Sequence, residues 1–160
     1  MYYINVFKDK ENNIIIIPNA RCEHGFHVES NFPETLNYPY SEAELGAKAK
    51  TAMQSVIAHP FLLKSDATHV FETVTGKKWV PFAKQRHCVD FRLNIGGEEF
   101  DERFEKGYRA KYKKRTAKNS FGNLVSDPEF SEDLPLNAGD EEIGAAILRI
   151  FSMGINHYKN

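Results

Sequence analysis

Residues 41–47 (SEAELGA) and 139–145 (GDEEIGA) constrain this fold more than any other stretch, because each reads as the start of an amphipathic helix. Ser41 and Glu44 form S-x-x-E, the capping box, in which each side chain satisfies a backbone N–H left unpaired at a helix start. Behind it Leu45, Ala49, Ala52, Met53, Val56 and Ile57 fall on one helical face, and Pro60 ends the run. Ile143, Ile147, Ile150 and Phe151 repeat the spacing of Leu45, Ala49, Ala52 and Met53 at a shift of 98 positions. The same shift aligns Glu44 with Glu142, Gly46 with Gly144 and Ala47 with Ala145. Acidic helix starts are common in their own right. A glycine in the first turns is not, since it costs about 1 kcal/mol relative to alanine; its recurrence points to close approach by another backbone. The pattern predicts an internal duplication with half-repeats 1–60 and 68–157.

The rest reads mainly as strand and loop. Residues 2–7 and 14–17 are rich in aromatic and β-branched side chains, and KDKENN between them supplies a turn, so a hairpin is expected. Pro18 lacks a backbone donor and should end the second strand. Residues 18–40 read as loop with a short strand at 26–29. Residues 68–75 (THVFETVT) read as a strand broken by Gly76. Residues 87–95 alternate, Cys88, Asp90, Arg92 and Asn94 against Val89, Phe91, Leu93 and Ile95. The charged residues 98–118 suggest an edge strand or irregular excursion, and 120–137 a loop. The expected class is α+β in one domain, 1–160. Two amphipathic helices, 41–57 and 140–155, pack on a largely antiparallel sheet made from 2–7, 14–17, 68–75 and 87–95.

Several function classes find little support. The formal charge of −1 gives no whole-molecule attraction to nucleic acid or anionic membrane. No apolar run approaches the roughly 18 residues of a membrane span. The start, MYYINVFKDKENN, has neither a basic head nor an apolar stretch, so a cytoplasmic location without a signal peptide is expected. Cys22, His24 and His27, with His87 and Cys88 elsewhere, match no standard zinc spacing. They read as small core cysteines and surface histidines, and no metal or cofactor is expected. No nucleophile elbow or phosphate-binding glycine motif occurs, and Gly96-Gly97 reads as a turn.

Charge pattern is the informative feature. Residues 103–118 hold eight Lys/Arg with Phe104, Tyr108 and Tyr112 interleaved, a composition that can neutralise phosphates and stack on bases. Residues 127–142 answer with seven acids and no Lys or Arg, and Glu98, Glu99, Asp101, Glu102 and Glu105 abut the basic run. A nucleic-acid module would carry a basic excess overall. Opposed blocks fit a protein-binding surface better, because charge complementarity there sets on-rate and partner choice.

The repeated helix starts (E-L-G-A and E-I-G-A), with Gly76-Lys77-Lys78-Trp79 leading through Phe82 into residues 87–95, resemble the CdiI-type immunity proteins of bacterial contact-dependent growth inhibition systems. The resemblance covers most of the chain on short motifs, and the longer second half departs from it. It implies a cytoplasmic antitoxin without catalytic activity. Its partner would be the cognate CdiA C-terminal toxin, in a heterodimer, the toxin being in many cases a nuclease. Carboxylates standing where phosphates would lie could then cover a basic groove. On that logic the contact residues are Asp127, Glu129, Glu132 and Asp133, then Glu98, Glu99 and Asp101, with Tyr108, Arg109 and Tyr112 as anchors. The alternative is a nucleic-acid-binding module using 103–118.

Overall fold

A computed structural model describes residues 1–96, 105–115 and 124–158. Strands β1 (Tyr2–Asp9) and β2 (Ile14–Arg21) form the expected hairpin, with Val6 opposite Ile16. The Asp9 carboxylate fixes its turn by accepting the backbone and side-chain N–H groups of Asn13 at 2.9 and 3.1 Å. Pro18 does not end β2. Its carbonyl accepts from Ser30 on the outer side of the strand, so its missing N–H falls on that side too. That position is the gap between β3 (His27–Glu29), which pairs with residues 19–21, and β4 (Glu34–Leu36), which pairs with residues 14–16.

Strand β5 (Arg86–Asn94) lies on the other side of β1, followed by β6 (Gly107–Arg115) and β7 (Leu124–Leu134). The sheet, seven strands among the described residues, is antiparallel throughout in the order β3-β2-β1-β5-β6-β7, with β4 also on β2. The fold is α+β as expected, but besides the longer β2 and the strand β4 in a stretch read as loop, three more elements differ from the sequence reading. Residues 68–75 do not form a strand. They contain helix α2 (Val70–Thr75), capped by Gly76 at φ 68°, and α3 (Trp79–Lys84) follows. The sequence neighbours Val70 and Phe71 both enter one apolar cluster, which successive strand residues cannot do. Residues 107–115 form an interior strand, not an edge, with Tyr108, Ala110 and Tyr112 turned to the core and cations between them. Residues 124–134 are not loop but the edge strand β7, whose pairing shifts between Lys111 and Lys113 so that Ser131 and Ser126 oppose them.

Helices α1 (Glu42–Ala58) and α4 (Asp140–His157) cover one face of the sheet. Ile4, Val6, Val89 and Phe91 meet Leu45, Ala49, Ile143, Ile147 and Phe151 there. The capping box at Ser41 and Glu44 is present, with bonds of 3.1 and 2.7 Å. At the second helix Glu142 accepts from the Gly139 N–H at 3.3 Å, and glycine has no side-chain oxygen to complete the box. The two helix starts cross at the repeated glycines. A Cβ on Gly46 would fall on the Asp140 carbonyl, its carbon 2.5 Å away; one on Gly144 would fall on the Glu42 carbonyl, its carbon 2.6 Å away. The close backbone approach read from the sequence is therefore reciprocal. Lys50 fastens the crossing through Asp140 at 2.9 Å.

On the opposite face α2 and α3 cover only one end, where Phe7, Ile17, Phe71, Phe82, Cys88 and Trp79 cluster. Trp79 stacks on Phe82 and meets Phe71 edge-on. No described helix is long and apolar enough to cross a membrane.

Candidate functional site

Alternation along β6 and β7 disperses the charge blocks of the sequence. Asp127 is 2% exposed and turned inward; it accepts from the Tyr158 hydroxyl and from the Glu129 backbone N–H at 3.1 Å, with Lys114 Nζ 3.4 Å away. The Tyr158 hydrogen bond, joined by the Glu129 and Lys114 contacts, holds its carboxyl below the usual carboxylate range. Tyr112 is 3% exposed, stacked on Tyr158 and hydrogen-bonded to His87 Nδ1 at 2.8 Å. Asp127 and Tyr112 therefore tie β6 and β7 to the end of α4, and neither presents a surface to a partner. Tyr108 is half-buried, stacked on Phe91.

The other acids of this group reach solvent. Glu129 is exposed, and Asp133 holds Arg109 in a bidentate pair at 2.5 and 2.7 Å. Glu132 lies on the helix side of β7, where Arg149 clasps it at 3.0 and 2.5 Å. Glu98, Glu99 and Asp101 lie outside the described residues. Of the basic segment, Arg109, Lys111 and Lys113 share the sheet face away from α1 and α4, while Lys114 is on the helix side with Asp127.

The structure instead draws attention to that sheet face beyond α2 and α3. A cleft of about 420 Å³ is lined there by Tyr3, His27, Asp90, Arg92, Lys113 and Ser126. Asp90 is 1% exposed, and its Oδ2 accepts from Arg92 Nε and Nη2 at 2.9 and 2.6 Å and from Ser126 Oγ at 3.3 Å. Its Oδ1 is buried without a hydrogen-bond partner. An unpaired buried acceptor costs about 1–3 kcal/mol, so the arrangement is not one that stability alone favours. Lys113 donates to Asn5 Oδ1 at 2.9 Å and lies over the Tyr3 ring. Burial, then the Asp90 charge, pushes the Tyr3 hydroxyl up to about 12. The alternation at 87–95 assigned Asp90 and Arg92 to one face, but nothing in the sequence marked them as a site. The available signal was an ion pair two residues apart on a strand that borders the core.

The cysteines are separate and buried, Cys22 at the end of β2 and Cys88 under Trp79 and Phe82. Among the described residues no three His, Cys, Asp or Glu side chains stand close enough to share a metal ion. Burial pushes the Cys88 thiol up to about 12, with Asp90 adding to the shift and Lys113 opposing it. A thiol reacts as its thiolate. Both cysteines, being buried, should resist a thiol-reactive dye in the folded protein at neutral pH and react promptly in denaturant. Fast labelling of Cys88 without denaturant would contradict this packing.

No protein-family model and no curated protein sequence matches the chain. Solved structures do. The chain is similar to a protein of unknown function from Neisseria meningitidis, NMB0488, at TM-score 0.64 and 15% identity, covering 95% of this chain and 94% of that one. It is also similar to a chain of the CdiA-CT/CdiI toxin and immunity complex from Yersinia pseudotuberculosis, at TM-score 0.58 and 9% identity, covering 94% and 95% respectively. What this protein shares with both is the fold, from end to end.

Proposed function

We propose that this chain is an immunity protein, which binds the C-terminal toxin domain of a CdiA-type effector in a heterodimer and neutralises it in the cytoplasm without catalysis or a cofactor. The observation that carries this reading is the likeness over 94% of the chain to a chain of a toxin–immunity complex. The geometry supports a binding role. The uncovered sheet face presents fixed charges of both signs around Asp90 and Arg92, and the exposed carboxylates of Glu129 and Asp133 lie along the adjoining β7. A specific interface of about 1,200–2,000 Å² would take in both regions. A nuclease toxin, whose substrate groove is basic, suits Glu129 and Asp133. Asp133 already holds Arg109, so such contacts would speed encounter more than they add affinity.

The test is coexpression. The tagged chain is produced alone and beside whatever large secreted-protein C-terminal domain its genome encodes next to it, then isolated at about 0.15 M salt, where exposed charges are well screened. A one-to-one complex and rescue of cells from that domain are expected. Copurifying nucleic acid that salt removes, with no protein partner and no rescue, would favour the basic segment as a nucleic-acid module instead.

A further inference from the structure

We propose that the cleft where β1 and β6 end and β5 begins is a binding site for a phosphate-bearing anion, best matched by a diphosphate group. The site is distinct from the sheet face around Asp90 and does not depend on the immunity reading. Its volume is about 610 Å³, and Lys10, Lys77, Lys84, Arg86, His87 and Arg115 line it against the carboxylates of Asp9 and Glu11. The register explains the convergence. Asp9 pairs with Arg86 and Lys8 with His87 where β1 and β5 meet, while Arg115 closes β6 beside them and α3 ends overhead at Lys84.

The cations are not neutralised inside the protein. Arg115 turns Nη2 onto the carbonyls of Ala83 and Arg86, both at 2.7 Å, and Arg86 turns Nη1 onto that of Phe82 at 3.2 Å. Lys77 donates to the neutral Gln85 amide at 2.5 Å. Among the described residues, none of Lys77, Lys84, Arg86 and Arg115 has a carboxylate at ion-pair distance, although Asp9 and Glu11 act on Arg86 from further away. Both Asp9 oxygens accept from Asn13, and Glu11 pairs with Lys10 at 3.5 Å on the surface. Arg86 is 9% exposed, lies on the Phe82 ring and lines the cleft, with one hydrogen bond, from Nη1. A guanidinium held by burial, with donors still to offer, is pre-organised for an oxyanion.

Five permanent cations against two carboxylates leave an excess of three. One phosphate carries about −1.5 to −2 near neutral pH, so two linked phosphates match the excess where a single carboxylate falls short. His87 supplies a reporter. Burial, then the nearby charges of Arg115 and Lys8, lowers its pKa, which favours the neutral ring. An anion in the cleft opposes those two cations and raises the His87 pKa, while Tyr112 keeps its hydroxyl on the ring from β6 at 2.8 Å.

The experiment is titration of the full chain, without any partner, by inorganic pyrophosphate and by ADP, read by calorimetry and by the His87 ring signals in NMR. One saturable site is expected, with the His87 titration shifted upward in the complex. Lys84→Glu and Lys77→Glu should each weaken binding about tenfold or more, the loss of one charge-assisted contact, with melting temperatures close to wild type. Lys64→Glu makes the same charge change outside the cleft and should leave binding unchanged. Tighter binding of ADP than of pyrophosphate assigns the group to a nucleotide; equal binding assigns it to the bare diphosphate. Absence of a saturable site, an unmoved His87 titration, or equal weakening by Lys64→Glu would overturn the proposal.

Discussion

Gly46→Ala and Gly144→Ala should each destabilise the protein by about 3 kcal/mol, in the upper range for overpacking a tight contact. The sign is the informative part. In a helix open to solvent the same change stabilises by about 1 kcal/mol, because alanine is the better helix former. Here the added methyl falls on the backbone carbonyl of Asp140 or Glu42, and a carbonyl cannot rotate away as a side chain can. The helix starts must separate, which loosens the contacts of Leu45 and Ile143 with the sheet below them. For a chain of this size the cost corresponds to a fall of roughly 6–12 °C in melting temperature. Gly154→Ala offers a comparison, since its methyl would meet the Tyr112 ring and not backbone. A smaller loss is expected there. The double variant Gly46→Ala/Gly144→Ala should cost less than the two singles together, because one separation of the helices relieves both clashes. Thermal or urea unfolding of the four variants decides it: a rise in stability for either single helix-start variant would mean that the helices do not cross as described.

That crossing was legible in the sequence because its causes are local. A capping box, a face of apolar residues and a costly glycine repeated in one frame each leave a mark on neighbouring residues. The alternation in β5 was legible for the same reason. The missed elements owe their form to what lies above or beside them. Helix α2 carries strand-forming residues, Val70, Thr73, Val74 and Thr75, and is helical because Val70 and Phe71 must reach the same cluster over Phe7 and Ile17. Strand β7 contains Pro128 and a bulge, and only its partner β6 shows that it is a strand. The site suffered from a related confusion. A run of like charges reads as a patch when the chain is written on a line, but on a strand successive residues face opposite ways. Arg109, Lys111 and Lys113 thus part from Lys114, and Asp127 and Glu132 part from Asp133. Asp90, isolated in the sequence, gains its significance from Tyr3, Asn5 and Ser126, which two other strands bring to it.

Arg92→Leu should be the most damaging single change on the uncovered sheet face, at about 3 kcal/mol. Removing one partner of a buried pair costs about 3–5 kcal/mol because the other charge is left uncompensated, and the lower end applies since the Arg92 side chain is 31% exposed. Asp90 would keep one hydrogen bond, from the Ser126 hydroxyl at 3.3 Å, and the more distant charge of Lys111 opposite it on β6. The double variant Asp90→Leu/Arg92→Leu removes the stranded charge together with its partner and the unsatisfied Oδ1. Apolar replacement of a buried ion pair is often neutral or stabilising by about 1–4 kcal/mol, so its melting temperature should return to the wild-type value or exceed it. A chain that retains the pair at that expense uses it for something other than stability. Under the immunity reading that use is recognition: buried Asp90 fixes the partly exposed Arg92 guanidinium, which is the group a toxin would meet. The double variant should then fold well and fail to protect. In coexpression with the toxin domain it should give no complex at a salt concentration where the wild-type protein holds one, and cells should not be rescued. Full rescue by a stable Asp90→Leu/Arg92→Leu protein would remove this face from the interface and leave the exposed carboxylates of Glu129 and Asp133 as the surface to test.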